Sequence, residues 1–232
     1  MAGGIFILSG AGLSAESGLR TFRAADGLWE DHRVEDVATF EAFERDPEVV
    51  QRFYNMRRTQ AAAAMPNAAH EALAKLQADY DGPVTLVTQN VDDLLERSGA
   101  RDVIHMHGSV MGALCASCDH RWPAPMEMHV SDPCPACGAP HTRPDIVWFG
   151  EIPYHMDAIQ DALENSDLFV SIGTSGMVYP AAGFSQMARH LRMQTLELNL
   201  EASGAMFDAV IEGPATQVVP DWVADVLAGN GM

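Results

Sequence analysis

An apolar run that ends in a turn of small residues constrains this chain more than any other feature. Ile5-Phe6-Ile7-Leu8 has the length of a buried strand, and Gly10-Ala11-Gly12 follows it, with Ala15 at the third small position of a G-x-G-x-x-G/A pattern. Such a turn between a strand and a helix lets a pyrophosphate approach backbone N–H groups at the helix N-terminus. The same turn also forms without a ligand, so the pattern alone leaves both interpretations open.

The acidic partner of an ordinary dinucleotide site is missing from its usual place. In that arrangement an acidic residue ends a second strand roughly 20 residues after the turn. Here the next strand-like run is Val84–Val87, much further along the chain. A dinucleotide bound at this turn would therefore be held differently from the cofactor of a plain dehydrogenase.

Short apolar runs alternate with helix-period patterns along most of the sequence. Asp46 and Pro47 predict the cap and first residue of one helix, Asn67 can cap the next, and residues 91–97 look helical. Further strands are predicted at residues 103–106, 168–172, 195–198 and, last, 217–219. This alternation indicates an α/β fold: a Rossmann-like, mostly parallel sheet with helices on both faces.

Two segments interrupt the alternation. We expect residues 1–35, 80–108 and 143–232 to form the Rossmann-like part and residues 36–79 a helical insertion. Residues 109–142, which contain two C-x-x-C motifs, are expected to form a zinc-ribbon-like insertion in the same domain.

Polar or glycine-rich tips follow five of the predicted strands. In open parallel sheets, ligands bind beyond the carboxyl ends of the strands, so these tips predict a ligand crevice at one edge. The tips are Gly10, Gln89-Asn90, His107, Gly173-Thr174-Ser175 and Asn199.

All four cysteines belong to one pattern, Cys115-x-x-Cys118 followed by Cys134-x-x-Cys137. Paired C-x-x-C motifs at this separation favour a tetrahedral thiolate site for one structural Zn²⁺. Two redox pairs or scattered free thiols are the alternatives, but a redox motif needs only one pair. A nucleic-acid-binding zinc ribbon is disfavoured because only Arg121 and Arg143 lie in or beside the segment.

The chain is strongly acidic, with a formal net charge of −18. Such a charge repels phosphate backbones at long range, so we expect no nucleic-acid partner. The sequence contains no apolar run long enough for a signal peptide or a membrane span, so we expect no membrane association and a cytoplasmic location.

Taken together, these motifs resemble the sirtuin family of NAD-dependent protein deacylases. The resemblance is closest to the bacterial and mitochondrial branch with a Tyr-x-x-Arg acyl pocket, here Tyr54 and Arg57. The matching stretches, in the family's order, are residues 10–18 with Phe22-Arg23, residues 88–92, His107-Gly108, the four cysteines, residues 147–151, residues 173–175 and residues 199–201.

The resemblance implies that NAD is a co-substrate and that His107 is the catalytic general base. It implies removal of succinyl, malonyl and acetyl groups from protein lysines, giving nicotinamide and O-acyl-ADP-ribose. His105 lies two residues earlier and shares a strand face with His107, so only the His-Gly match separates the two. Mono-ADP-ribosyl transfer and a non-catalytic NAD or ADP-ribose sensor remain as alternatives.

The same resemblance implies the contacts with NAD. Asn90 and Asp92 would lie at the nicotinamide, Gln89 at a ribose, and Ser14 and Arg23 near the phosphates. Glu201 could supply the ribose carboxylate missing after the first turn. The full implied set is Gly10, Ala11, Gly12, Ser14, Ala15, Glu16, Phe22, Arg23, Trp29, Gln89, Asn90, Val91, Asp92, Gly173, Thr174, Ser175, Asn199, Leu200, Glu201 and Ala215.

Two groups of residues are implied to bind the acylated substrate. Tyr54 and Arg57 lie three apart on a predicted helix and would hold the distal carboxylate of a succinyl or malonyl group. A solvated arginine beside a packed tyrosine is the alternative. Val147, Phe149, Gly150 and Glu151 would pair with the extended substrate peptide, strand to strand.

Overall fold

The computed structural model describes residues 2–19, 28–29 and 32–229. Phe22 and Arg23 lie outside these residues, as does the side chain of Trp29. The strands are β1 (Ile5–Ser9), β2 (Leu28–Trp29), β3 (His32–Arg33), β4 (Val84–Thr88), β5 (Ile104–His105), β6 (Gly108–Cys115), β7 (Arg121–Pro123), β8 (Thr142–Ile146), β9 (Leu168–Ile172), β10 (Gln194–Asn199) and β11 (Ala209–Glu212). The helices are α1 (Gly12–Ala15), α2 (Val34–Val37), α3 (Phe40–Arg45), α4 (Pro47–Ala63), α5 (Ala68–Asp79), α6 (Leu94–Arg97), α7 (Met156–Glu164), α8 (Phe184–His190) and α9 (Ala215–Leu227).

A six-stranded parallel sheet organises the fold, in the order β11-β10-β9-β1-β4-β5. The central strand β1 pairs with β4 on one side and β9 on the other, so that Ile5 aligns with Val84 and Leu168. All five residues of β1 are buried, as the continuous apolar run predicts. The predicted α/β class is confirmed.

Alternate residues of β1 face the two apolar layers. Ile5 and Ile7 belong to a cluster that includes residues of α5 and α9, while Phe6 and Leu8 belong to a cluster that includes residues of α7 and α8. The period of two along a buried strand therefore produces a helical layer on each face of the sheet.

A third cluster lies beside the sheet and joins the helical and cysteine-bearing segments. It contains residues of α2 and α4 together with Val110 of β6 and Trp148. Cys115 ends strand β6 of a separate antiparallel sheet, β7-β6-β8, and the other three cysteines lie in the loops between its strands. The predicted division of the chain at residues 36–79 and 109–142 stays a prediction.

The predicted cap of α4 is confirmed, because Asp46 Oδ1 accepts a hydrogen bond from the Val49 N–H at 3.1 Å. The strand predicted at residues 217–219 is wrong, since these residues lie inside α9 and the last strand is β11. A short apolar run does not by itself distinguish a strand from a buried turn of helix, and here the run belongs to a helix that also contains Pro220. The helix predicted at residues 91–97 covers only residues 94–97, because the Asp92 side chain accepts from the Leu94 N–H and starts the helix later.

Among the described residues, none of the helices combines the length and apolar character that a membrane crossing requires.

Candidate functional site

A cavity of about 400 Å³ opens at the carboxyl ends of the parallel strands. The five predicted polar tips all line it, which confirms the predicted crevice at this edge of the sheet. Of the implied NAD contacts, those in its wall are Gly10, Ala11, Gly12, Ser14, Gln89, Asn90, Val91, Asp92, Gly173, Thr174, Ser175 and Asn199. All six implied substrate residues also line the cavity: Tyr54, Arg57, Val147, Phe149, Gly150 and Glu151.

The small residues of the first turn allow close contact between the end of β1 and the end of β9. The Gly10 N–H donates to the Ile172 carbonyl at 2.9 Å, and the Gly12 N–H donates to the Gly173 carbonyl at 2.8 Å. A Cβ on Gly12 would lie 2.7 Å from Gly173 Cα, and a Cβ on Gly10 would lie 2.8 Å from the Gly173 oxygen. The glycines are thus required by backbone packing, and two N–H groups that could face a phosphate are already used inside the chain.

Ser14, Asn90 and Asp92 meet at one end of the cavity. The Asn90 Nδ2 donates to Ser14 Oγ at 3.1 Å. Burial raises the pKa of the Asp92 carboxyl, while hydrogen bonds from the Leu94 N–H and the Ser14 hydroxyl oppose that rise. Ser14 therefore belongs with the two residues that the resemblance places at the nicotinamide.

His105 and His107 are distinguished by their hydrogen bonds. Both ring nitrogens of His105 face acceptors: Nδ1 lies 3.1 Å from the Asn90 carbonyl oxygen and Nε2 lies 2.6 Å from Glu96 Oε1. Burial alone would lower the pKa of His105, but the hydrogen bond and charge of Glu96 outweigh it and the pKa is raised. His105 is therefore already engaged in an ion pair with Glu96, and its role is structural.

His107 has the properties of a neutral base. Its Nδ1 donates to the Gln89 carbonyl at 3.1 Å, so the neutral ring carries its proton there and leaves Nε2 as an acceptor. Burial lowers the pKa of His107, against the opposing effect of this hydrogen bond. No described residue bonds to Nε2, and the side chain lines the cavity.

Tyr54 and Arg57 lie on one side of α4 and reach the same cavity. Tyr54 is fully buried, and the Trp148 Nε1–H donates to its hydroxyl oxygen at 3.0 Å. Burial raises the pKa of Tyr54 well above its usual value, so the phenol keeps its proton. Arg57 is 7% exposed, and its Nη1 donates to Gln60 Oε1 at 3.0 Å.

The segment from Val147 to Glu151 is braced by Arg143. The Arg143 guanidinium makes two hydrogen bonds to the Glu151 carboxylate, at 2.7 and 2.8 Å, and lies 3.5 Å from the Trp148 ring centroid. The Glu151 carboxylate also accepts from the Trp148 N–H at 2.8 Å. Glu151 therefore stabilises the conformation of this segment, because its carboxylate is hydrogen-bonded to Arg143 and Trp148.

A row of polar side chains joins α4 to the cysteine-bearing segment. Asn55 exchanges two hydrogen bonds with the backbone of Met128, at 2.8 and 3.0 Å, and Gln51 donates to the Thr142 carbonyl at 3.0 Å. Arg58, fully buried, donates from Nε to the Val110 carbonyl at 2.8 Å. Burial lowers the pKa of Arg58 to about 10. This row positions the helix that carries Tyr54 and Arg57.

The four cysteine sulfurs lie within 4.8 Å of one another. Cys115 Sγ is 3.7 Å from Cys137 Sγ, and Cys118 Sγ is 3.8 Å from Cys134 Sγ. A tetrahedral site with Zn–S bonds of about 2.3 Å places its sulfurs roughly 3.8 Å apart, whereas a disulfide requires about 2 Å. The geometry fits one four-coordinate zinc ion and no disulfide.

Five implied NAD contacts do not line the cavity: Ala15, Glu16, Leu200, Glu201 and Ala215. Glu16 instead caps α9, since its carboxylate accepts from the Thr216 N–H at 3.0 Å and from the Thr216 hydroxyl at 2.7 Å. Leu200 and Glu201 are exposed at the end of β10.

Several wall residues had no place in the sequence-based set. They are Leu19, Ala38, Ile146, Trp148, Pro153, Val178 and Tyr179. Most are apolar, and an apolar residue between two motifs carries no signal that separates a cavity wall from a core. Trp148 could have been found, because it lies inside the implied substrate segment.

The sequence profile of the Sir2 family matches residues 10–180. This chain belongs to the Sir2 family. Two bacterial relatives, both named NAD-dependent protein deacylase, match over nearly its whole length. The Caulobacter vibrioides protein is 52% identical and the Escherichia coli protein 53% identical. Both alignments cover 97% of this chain, and they cover 97% and 82% of the two relatives, respectively.

A solved Sir2 homologue crystallised as an NAD complex has the same fold. It superposes with a TM-score of 0.87 at 36% identity, covering 98% of this chain and 91% of the homologue. The Sir2 fold thus extends beyond the matched residues to β10, β11 and α9.

Proposed function

We propose that this chain is an NAD-dependent protein deacylase that removes succinyl, malonyl and acetyl groups from lysines of protein substrates. The observation that carries the proposal is one cavity lined by the first turn, by the neutral His107 and by the Tyr54–Arg57 pair. The names of its Sir2 relatives support NAD-dependent protein deacylation.

The polar wall of the cavity fits NAD. Gln89 Nε2 is a buried donor with no partner in the described part of the chain, which a ribose hydroxyl would satisfy. The Asn90 amide and the Asp92 carboxyl suit a carboxamide, and Gly173, Thr174 and Asn199 would lie along the other half. When bound, NAD would supply a ribose C1′ open to attack by the acyl oxygen, with nicotinamide as the leaving group.

His107 would act as the general base. Its Nε2 accepts a proton from a hydroxyl group presented at this end of the cavity, while Nδ1–H stays bonded to the Gln89 carbonyl. The low pKa keeps the ring neutral near pH 7, so no deprotonation is needed before it accepts.

Tyr54 and Arg57 would select the acyl group. A guanidinium and a protonated phenol both donate, and together they match the distal carboxylate of a succinyl or malonyl chain. Each charge-assisted hydrogen bond contributes roughly 1.5–3 kcal/mol, which favours such groups over acetyl by about tenfold or more.

The cysteines Cys115, Cys118, Cys134 and Cys137 would hold one zinc ion. Four thiolates leave no open coordination position, so its role is structural. We also propose that residues 36–79 and 109–142 are insertions that carry the acyl pair and the zinc, respectively, beside the Rossmann-like part.

Incubation with an acylated peptide and labelled NAD tests the activity. We expect the label to leave as acyl-ADP-ribose. Label that enters protein instead would establish mono-ADP-ribosyl transfer, and the proposed deacylation would be wrong.

A further inference from the structure

The carboxylate of Glu197 is buried in the parallel sheet, close to the polar tip of β10. Glu197 lies two residues before Asn199 on this strand, beside Ser171 of β9, and is 1% exposed. It does not line the cavity, whereas Asn199 does. A carboxylate inside a sheet is uncommon and costs free energy unless it is hydrogen-bonded, so its contacts indicate its role.

One oxygen of this carboxylate receives two donors, and the other receives none. Glu197 Oε1 accepts from the Asn199 Nδ2 at 3.1 Å and from the Ser203 N–H at 2.9 Å. Glu197 Oε2 is buried without a hydrogen-bond partner in the described part of the chain. Because burying a half-satisfied carboxylate is costly, the stability of the fold does not by itself explain an acid at this position.

The contacts of Asn199 determine the orientation of its amide. Besides Glu197 Oε1, its Nδ2 donates to the Thr174 carbonyl at 2.9 Å. Both partners can only accept, so they use both amide protons, and the amide cannot exchange its nitrogen and oxygen. Asn199 Oδ1 accepts from the Leu200 N–H at 3.0 Å, which leaves one lone pair for a ligand. Asn199 can therefore accept a proton from a ligand but has none to donate.

This orientation selects the part of a dinucleotide that suits Asn199. A ribose hydroxyl carries a proton that it can donate to the remaining lone pair of Oδ1. A pyrophosphate oxygen carries no proton near pH 7, and the negative charge of the buried Glu197 carboxylate would repel it. The polar tip of β10 thus fits a sugar better than a phosphate.

Glu197 also fixes the loop that follows β10. Its bond to the Ser203 N–H is accompanied by a bond from the Ala202 N–H to Glu212 Oε1 at 2.8 Å. Glu212 is an exposed residue of β11, and among the described residues its carboxylate bonds to the loop and not to the Asn199 amide. The two carboxylates therefore hold the same loop, but only Glu197 orients the amide.

We propose that Glu197 is a positioning residue for a ribose at the adenosine half of the site: its Oε1 fixes the Asn199 amide so that the amide oxygen accepts a ribose hydroxyl. The assignment of this end to the adenosine ribose rests on the proposed function. The directions of the hydrogen bonds rest on the geometry alone.

The side-chain amide protons of Asn199 test the orientation in the wild-type chain without a ligand. Both protons are hydrogen-bonded, so we expect both to exchange with water at least about tenfold more slowly than those of a solvent-exposed asparagine. Through-bond NMR assignment to the Asn199 side chain identifies the two signals. Rapid exchange of either proton would overturn the proposal. This measurement needs no variant, so it decides even where a substitution prevents folding.

Substitution tests the effect on the site. Glu197→Leu removes the acceptor, and we expect the dissociation constant of ADP-ribose and the KM for NAD to rise about tenfold, with unchanged kcat and unchanged KM for acyl peptide. Glu197→Gln keeps an acceptor oxygen for both donors, so both constants should stay within about threefold of the wild type. Glu212→Leu frees the loop without removing a partner of the Asn199 amide, so as the matched control it should change neither constant by more than about twofold.

The outcomes separate this inference from the proposed function. A folded Glu197→Leu with unchanged ADP-ribose and NAD constants overturns the role of Glu197, and so does an equal rise in Glu212→Leu or in the peptide KM. A wild-type chain that releases no nicotinamide with any acyl peptide overturns the proposed function, while ADP-ribose binding and amide exchange still decide the role of Glu197.

Discussion

The Nδ1 of His107 lies 3.1 Å from the carbonyl oxygen of Gln89, and this contact determines which ring nitrogen can act as a base. Because the carbonyl only accepts, the proton of the neutral ring stays on Nδ1, and Nε2 faces the cavity as an acceptor. His105, two residues earlier, has both nitrogens bonded to acceptors and can serve no such role.

A lowered pKa of His107 predicts the acid limb of the pH–rate profile. Protonation removes the acceptor on Nε2, so kcat/KM should fall as the pH falls, with a midpoint below the usual histidine value of about 6.5. His107→Gln should cost roughly 100-fold or more in kcat. His155→Gln, at an exposed histidine, is the control. An acid limb with its midpoint above 7 would contradict this assignment.

Arg57→Met should reduce desuccinylation far more than deacetylation. The substitution keeps the length and packing of the side chain but removes the guanidinium that would bind the distal carboxylate, so kcat/KM for a succinyl peptide should fall about tenfold or more. Deacetylation should change less than about threefold. Arg52→Met, at an arginine of the same helix with a 68% exposed side chain, should change neither activity. Equal losses on both peptides would remove Arg57 from the acyl pocket.

Asn55→Ala should weaken acyl selection from a distance. It removes both bonds to Met128 and the Asn55 oxygen that accepts from Arg58 Nη1 at 2.8 Å, so α4 loses two of its hydrogen bonds to the cysteine-bearing segment. We expect the ratio of succinyl to acetyl kcat/KM to fall by about threefold or more. Thr59→Ala, at an exposed position on α4, should leave the ratio unchanged. A folded Asn55→Ala chain with the wild-type ratio would show that this row does not position the acyl pair.

His70 should also make the folded chain sensitive to acid. In the unfolded chain its ring is protonated with a pKa near 6.5, whereas in the folded chain burial lowers this pKa to about 4. The unfolded state therefore binds more protons, and stability falls as the pH falls through this window. At about 1.4 kcal/mol per pKa unit, this single group lowers the free energy of unfolding by about 2 kcal/mol between pH 7 and pH 5.

Chemical denaturation of the wild type and His70→Gln at pH 7 and pH 5 measures this loss of unfolding free energy. The variant should lose about 2 kcal/mol less than the wild type on acidification. Identical losses would mean that the buried ring is charged in the folded chain.

The fold class and most of the helices and strands could be predicted from the sequence, because buried strands and helix caps have local sequence signatures. The run Ile5–Leu8 and the cap at Asp46 both appear where expected. The strand predicted at residues 217–219 was wrong because a short apolar run fits a buried turn of helix as well as a strand.

The finer geometry of the site could not be predicted, because it depends on contacts between distant parts of the chain. His70 and Ser14 are 56 residues apart, and Asn55 meets Met128 across 73 residues. Glu16 lies next to the first turn in sequence, yet its carboxylate caps a helix 200 residues away. The hydrogen bonds that separate His107 from His105 reach the loop after β4 and, for His105, helix α6, so before folding only the His-Gly match distinguished the two histidines.

The central claim is that one cavity combines NAD-dependent chemistry with selection of acidic acyl groups. Nicotinamide release from NAD, followed with acetyl, succinyl, malonyl and glutaryl versions of one lysine peptide, tests it most directly. We predict release with the acetyl and succinyl peptides, with the higher kcat/KM for succinyl, and none without an acyl group. No release with any acyl peptide, or release that is independent of the peptide, would contradict the claim.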